Sequence, residues 1–270
     1  MYIHSMRFEN VGDFYDKQGW DYEGLDTHDA VINENLTRTA ETYVRRVRLR
    51  IFQSLGEGSY LLDIGCGPIQ YPEYVKYSSN YEYRVCVDLS EKALKEAERK
   101  IGQRGKFYKG DYLEISNLPE SPFDGAALVN VLYHVHKDSQ RLMVEKIIGD
   151  LKIGGRLVVV YSNPRSFSSI FTRMLLWTKN YLYKLTLRSN YQIRTNPIYF
   201  YRHPISFWKG FEHLAKVELK AWRTFDPSIE KWMFTKYLGG KFFLNLLYKL
   251  ENLKFWAYVS EYQIVVLQKK

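Results

Sequence analysis

Cysteine is nearly absent. The 270 residues hold two, Cys66 and Cys86, too few for a disulfide framework or a four-ligand zinc site, so a reducing cytoplasm is the expected location. Long apolar runs are also missing: none reaches the roughly 18 residues of a membrane-spanning helix, and the opening Met1-Tyr2-Ile3-His4-Ser5 begins no signal peptide. A soluble protein is expected, or one attached at most to a membrane surface. No internal repeat or low-complexity tract occurs, which leaves out repeat arrays.

Acidic residues are scarce in one part of the chain. Residues 151–270 carry 6 acidic side chains against 20 basic, a net of +14, whereas residues 1–150 carry 24 acidic against 19 basic, a net of −5. Such a field attracts an anionic acceptor, a phosphorylated headgroup or a membrane surface, unless it is only a solvated basic face. The length suits a single domain, 1–270, with one large core and an elaborated cap.

What is present begins with Leu61-Leu62-Asp63-Ile64-Gly65-Cys66-Gly67-Pro68, an apolar strand running into a carboxylate and two glycines two residues apart. The glycines let the backbone turn tightly and approach a ligand. About 25 residues on, Arg84-Val85-Cys86-Val87-Asp88-Leu89-Ser90 is another apolar strand ending in an acid. The pair reads as a nucleoside site at the carboxyl ends of parallel strands, the second acid holding ribose hydroxyls.

Around these motifs the chain alternates strand and helix. Strands are expected at 60–64, 84–88, 106–108, 123–132 and 156–161, with helices at 33–55, 73–77, 91–101 and 138–149 between them. The apolar strands argue for helices on both sheet faces. An N-terminal helical cap, 8–56, precedes the cofactor-binding core, 60–162. Beyond it, residues 168–188, a stretch from Ser206, 228–237 and 241–253 read as helical, 189–204 as a polar linker, and 214–222 and 262–268 as closing strands. The helices 168–188 and 241–253 combine an apolar face with basic side chains, which suits anionic lipid, a buried core or a dimer interface.

With these residues in view, the chain resembles the class I S-adenosylmethionine-dependent methyltransferases. Five segments carry the resemblance, in order: Leu62 to Pro68, Val87-Asp88-Leu89-Ser90, Gly110-Asp111, Asn130-Val131-Leu132-Tyr133-His134-Val135, and Leu151-Lys152-Ile153-Gly154-Gly155-Arg156-Leu157. It covers about residues 60–162, with weaker agreement at 206–221 and 262–268. It implies an α/β, doubly wound seven-stranded sheet of order 3-2-1-4-5-7-6, its last strand antiparallel, with insertions 165–205 and 223–260 forming a cap over the acceptor. The sequence departs from the family at Ile69, where a third glycine is common.

The resemblance also implies roles. Asp63, Gly65, Cys66 and Gly67 would form the turn around the amino-acid part of S-adenosylmethionine, Asp88 would hold the ribose, and Asp111 would accept from the adenine amino group. Leu89 or Tyr112 would lie against the adenine ring, Asn130 near the sulfonium end, and Tyr15 over the site. His134 and His136 stand at the acceptor rim as candidate bases, because imidazole titrates near pH 6.5, or else as surface or helix-start residues. Tyr133 joins them as a candidate catalytic or closing residue. Arg165, Arg173, Arg188, Arg194, Arg202 and His203 are available to an anionic acceptor. No metal site is evident.

The expected activity is methyl transfer to oxygen or nitrogen of a small, hydrophobic or anionic, biosynthetic or lipid-linked metabolite. A homodimer and peripheral membrane contact are left open. Nucleic-acid methylation is the second reading, favoured by the +14 segment and weakened because Asn130-Val131-Leu132-Tyr133 is not the Asn/Asp-Pro-Pro-aromatic run of base-amine methyltransferases. A non-catalytic scaffold or partner subunit is the third.

Overall fold

A computed structural model of the chain describes residues 38–170, 174, 199–225 and 240–270. Tyr15, most of the 8–56 cap before α1, most of the helix expected at 168–188, and the helix at 228–237 lie outside the described residues. So do Arg173, Arg188 and Arg194.

Apolar residues at three- and four-residue spacing make α1 (Arg38–Ser54), which buries Ala40, Tyr43, Val44, Val47 and Ile51. Then come β1 (Gly58–Ile64), α2 (Pro72–Val75) continued by a 3₁₀ turn at Lys76–Ser78, β2 (Tyr81–Asp88), α3 (Glu91–Ile101) and β3 (Gly105–Lys109). Next are β4 (Phe123–Val129), α4 (Gln140–Asp150) and β5 (Leu151–Ser162). After a 3₁₀ segment at Ile205–Phe211, the chain ends in β6 (Ala215–Arg223), α5 (Gly240–Leu250), α6 (Trp256–Val259) and β7 (Tyr262–Lys269).

The seven strands form one sheet of order β3-β2-β1-β4-β5-β7-β6, as the sequence implied. The first five are parallel, and β7 runs antiparallel to both β5 and β6. Because successive side chains alternate, each central strand feeds two cores. Leu62, Leu157, Val159, Val265 and Leu267 pack with α4 and the 3₁₀ segment through Val144, Ile147, Trp208 and Phe211. Leu61, Val158, Val160, Ile264 and Val266 face α1 and α5 through Val47, Ile51, Leu244 and Leu247.

Several elements differ from expectation: β2 begins at Tyr81 rather than Arg84, and β4 ends at Val129 rather than Leu132, where Asn130 turns to positive φ. β5 begins at Leu151 rather than Arg156, because the expected turn is absorbed as a bend: Gly154 has φ +80 and the register with β4 slips between Phe123 and Gly125. The helix expected from Ser206 is 3₁₀ in hydrogen bonding. The helix expected through Leu253 ends at Leu250, where turns at Asn252 and Leu253 take over.

Two buried carboxylates fasten the C-terminal elements. Glu251, after α5, pairs with Arg50 of α1 at 2.8 Å and accepts from the Tyr43 hydroxyl and from Thr224. Glu261, before β7, pairs with Arg202 at 3.1 Å and accepts from Ser162, Ser166, Ser168 and Ser169. The strands β1, β2, β4 and β5 end at Ile64, Asp88, Val129 and Ser162, so their following loops converge on one edge of the sheet.

Candidate active site

The turn after β1 is built on the two glycines. Gly65 and Gly67 have φ of +63 and +56, the left-handed region, and a Cβ on Gly65 would lie 2.4 Å from Val131 Cγ2. Ile69 also takes positive φ, +50, and is buried. Its turn is held from α3, where Lys100 Nζ donates to the carbonyls of Pro68 and Ile69 at 2.9 and 3.1 Å. This clamp, unforeseen from sequence, completes the turn where the family often has a third glycine.

Asp63 is 3% exposed and accepts from Arg84 Nε at 3.0 Å and Nη2 at 2.5 Å. Arg84 Nη1 donates to the Tyr74 carbonyl at 2.7 Å, so the pair ties β1, β2 and α2 together beneath the turn. Burial pulls the guanidinium toward neutrality, but the Asp63 carboxylate outweighs it and holds Arg84 above its usual range. Asp63 thus orders the turn, as expected, through a partner that sequence reasoning missed. The signal was an arginine among the apolar residues of a buried strand.

Cys66 and Cys86 sit beside this pair, and ligand atoms of Asp63, Cys66 and Cys86 lie within 4.8 Å of one another. The Arg84 cation on Asp63 opposes a metal ion there. A hydrogen bond with Cys86, then burial, then the charges of Asp63 and Asp88 push the Cys66 thiol well up. Iodoacetamide at pH 8 therefore alkylates Cys66 roughly tenfold or more slower than a free cysteine. A rate equal to the free thiol contradicts this.

Asp88, at the end of β2, faces the same turn. Its Oδ2 accepts from Gly67 N at 2.8 Å and its Oδ1 from Ser90 N at 2.9 Å, which fixes the carboxylate plane. Gly110 N donates to the Asp88 carbonyl at 3.0 Å and brings Asp111 to the site, where its Oδ1 accepts from Leu113 N. Leu89 is 41% exposed. Tyr112 is buried, and its hydroxyl donates to Asp150 at the end of α4. Both residues expected against an adenine ring line the cavity, Leu89 the more exposed and Tyr112 buried with its hydroxyl on Asp150.

After β4, Asn130 adopts φ +60, and its buried Oδ1 has no hydrogen-bond partner among the described residues. Leaving such an acceptor unsatisfied costs about 1–3 kcal/mol, so the position suits a ligand donor. His134 Nδ1 stands 3.0 Å from the Tyr199 carbonyl. A carbonyl only accepts, so Nδ1 carries the proton and Nε2 is the acceptor. Burial lowers the His134 pKa below 6.5, which leaves the ring neutral at pH 7. The ring of buried Tyr133 lies 4.7 Å from His134 and 4.9 Å from Phe200. His136 is more exposed, 3.4 Å from Asp138 and against the Tyr199 ring.

Sequence reasoning missed the strap Tyr199-Phe200-Tyr201, which it placed in a polar linker. Tyr201 N donates to the Tyr133 carbonyl at 2.8 Å, and Gln140 Nε2 to the Tyr201 carbonyl at 3.1 Å. Three consecutive aromatics were the available signal. Of the anion-binding candidates, Arg202 is paired with Glu261 and the His203 ring stacks on Phe207 at 4.3 Å.

These groups open onto one cavity of about 690 Å³. Gly65, Cys66, Gly67, Asp88, Leu89, Asp111, Tyr112, Asn130, Tyr133, His134 and His136 all line it, with Tyr262 from β7.

Residues 62–159 match the family described as a methyltransferase domain. No curated protein sequence matches significantly. Among solved structures, the magnesium protoporphyrin IX methyltransferase ChlM from Synechocystis PCC 6803 with bound S-adenosyl-homocysteine has a TM-score of 0.55 at 13% identity, covering 96% of this chain and 98% of that one. The N-methyltransferase NodS from Bradyrhizobium japonicum WM9, in complex with the same ligand, has a TM-score of 0.54 at 13% identity over 90% and 94%. A SAM-dependent methyltransferase from Archaeoglobus fulgidus has a TM-score of 0.51 at 16% identity over 89% and 99%. These structures share the fold. With the sheet order they show that the chain has the class I methyltransferase fold, and the family match places a methyltransferase domain over residues 62–159.

Proposed function

We propose that this protein methylates a small molecule, using S-adenosylmethionine, at an oxygen or nitrogen that loses its proton to His134. The observation that carries the reading is one cavity lined by the glycine turn, Asp88 and a half-buried His134 whose Nδ1 is held by the Tyr199 carbonyl. The site fits the cofactor in three respects: the left-handed turn of Gly65 and Gly67 lines the cavity, the Asp88 carboxylate is fixed in plane, and Asn130 Oδ1 lacks a partner among the described residues.

Asp88 would accept from the ribose hydroxyls, Asp111 from the adenine amino group, and Leu89 would cover the ring. The turn from Gly65 through Gly67 would meet the amino-acid portion, with Asn130 near the sulfonium. The cofactor supplies an electrophilic methyl group. The protein's part is to align the acceptor, exclude water and take up a proton. The Tyr199 carbonyl holds His134 with Nε2 as the acceptor, and Tyr133 and Phe200 form an apolar wall beside the ring.

The test is labelled S-adenosylmethionine offered with pools of small metabolites, lipid extract and total RNA, with release of S-adenosylhomocysteine read separately. Label in a metabolite or lipid pool supports the reading. Label in RNA overturns it, and so does cofactor binding with no turnover in any pool. With an acceptor in hand, kcat rises with pH through a pKa below 6.5 and is flat above about pH 7. His134→Gln lowers kcat roughly a hundredfold or more and abolishes that limb, while affinity for S-adenosylhomocysteine stays unchanged. Near-wild-type turnover from pH 6 to 9 removes His134 as the base.

A further inference from the structure

Helix α5 is apolar on two sides. Leu244 and Leu247 face α1 in the core, while Phe242 and Leu246 point outward, 78% and 42% exposed. The outward surface continues through Leu253, Phe255, Tyr258 and Val259, exposed by 45, 58, 55 and 38%. Isolated exposed apolar residues are ordinary, but six within eighteen residues of a packed element call for a partner.

Charge says which partner. The two acids of residues 240–270, Glu251 and Glu261, are 2% and 6% exposed and paired with Arg50 and Arg202. The charged groups that this stretch shows beside the apolar residues are Lys249 and Lys254, both exposed. The neighbouring segment adds to the surface. Asn163 Nδ2 donates to the carbonyls of Tyr258 and Ser260 at 3.0 and 3.2 Å, which holds Phe167 and Ile170, 62% and 55% exposed, near α6.

We propose that this face is a docking surface for an anionic lipid bilayer. The aromatic and aliphatic side chains enter the headgroup region, and Lys249 and Lys254 lie against lipid phosphates. A second copy suits the face less well, since a two-fold contact would set two patches against each other that both show lysines and no exposed acid. No described helix is long and apolar enough to cross a membrane, so the contact is peripheral. Tyr262, just after α6, pairs with Ser162 at the strand ends and lines the cavity, so docking here brings the bilayer to the site's margin. Docking does not depend on the acceptor assigned above, because it is read by vesicle binding.

The full chain is sedimented with vesicles of phosphatidylcholine and with vesicles of equal parts phosphatidylcholine and phosphatidylglycerol. Binding to the anionic vesicles at least roughly tenfold tighter, and weakened by salt, is expected. Phe255→Ser with Tyr258→Ser, and separately Lys249→Glu with Lys254→Glu, each lower it about tenfold or more. Thermal midpoint and affinity for S-adenosylhomocysteine stay unchanged in both, since these side chains lie outside core and cavity. No binding at low salt, equal binding to both vesicles, or variants that bind as wild type overturn the proposal. So does a concentration-dependent dimer that the serine variant abolishes in a chain that ignores vesicles.

Discussion

Asp88→Ala raises the dissociation constant for S-adenosylhomocysteine at least roughly tenfold in calorimetry while the protein stays folded. The magnitude follows from geometry. Gly67 N and Ser90 N fix the carboxylate, so it would meet the ribose hydroxyls without the cost of ordering a mobile side chain. A hydrogen bond to a charged acceptor contributes about 1.5–3 kcal/mol, and every 1.4 kcal/mol is tenfold in affinity. The structural cost is smaller, because α3 keeps its own cap, Ser90 Oγ accepting from Ala93 N at 3.1 Å. Asp88→Asn preserves shape and one acceptor oxygen and falls between. Unchanged affinity in Asp88→Ala would remove the ribose from this position.

The largest loss of stability is expected at Arg84→Met, about 3–5 kcal/mol in denaturant unfolding, from a residue that need not touch any ligand. Arg84 and Asp63 side chains are 2% and 4% exposed, so removing the cation strands a carboxylate in the sheet. The same logic predicts rescue. Asp63→Asn in the Arg84→Met background recovers much of the loss, because no uncompensated charge remains. Additive losses in the double variant would show that the two residues act independently.

Local grammar made the fold legible. Gly65, Gly67 and Asp88 announce themselves because a turn with positive φ and a carboxylate at a strand end depend on a few adjacent residues. The strand order followed from family resemblance. What stayed hidden is non-local. The partner of Asp63 is 21 residues away, that of His134 is 65 away in a segment that reads as linker, and Glu251 reaches back 201 residues to Arg50. The partner of the Tyr112 hydroxyl stayed hidden for a related reason: sequence places Tyr112 beside Asp111, but only the packed α4 brings Asp150 to its hydroxyl. The bend in β5 was read as a turn, since a glycine pair has the same spelling in either setting. Tyr15 lies outside the described residues.

The placement of β7 governs how the molecule assembles in time. It is the last strand in the chain, yet it sits between β5 and β6 and supplies hydrogen bonds to both. During synthesis β5 is completed about a hundred residues before its neighbour exists, and β6, which among the described residues pairs with β7 alone, waits for the same strand. Both therefore spend that interval as open edges, the condition in which nascent chains pair wrongly with one another. Entry of Tyr262–Lys269 closes both gaps at once and sets Tyr262 on the cavity wall, so the sheet and the pocket reach their final form together.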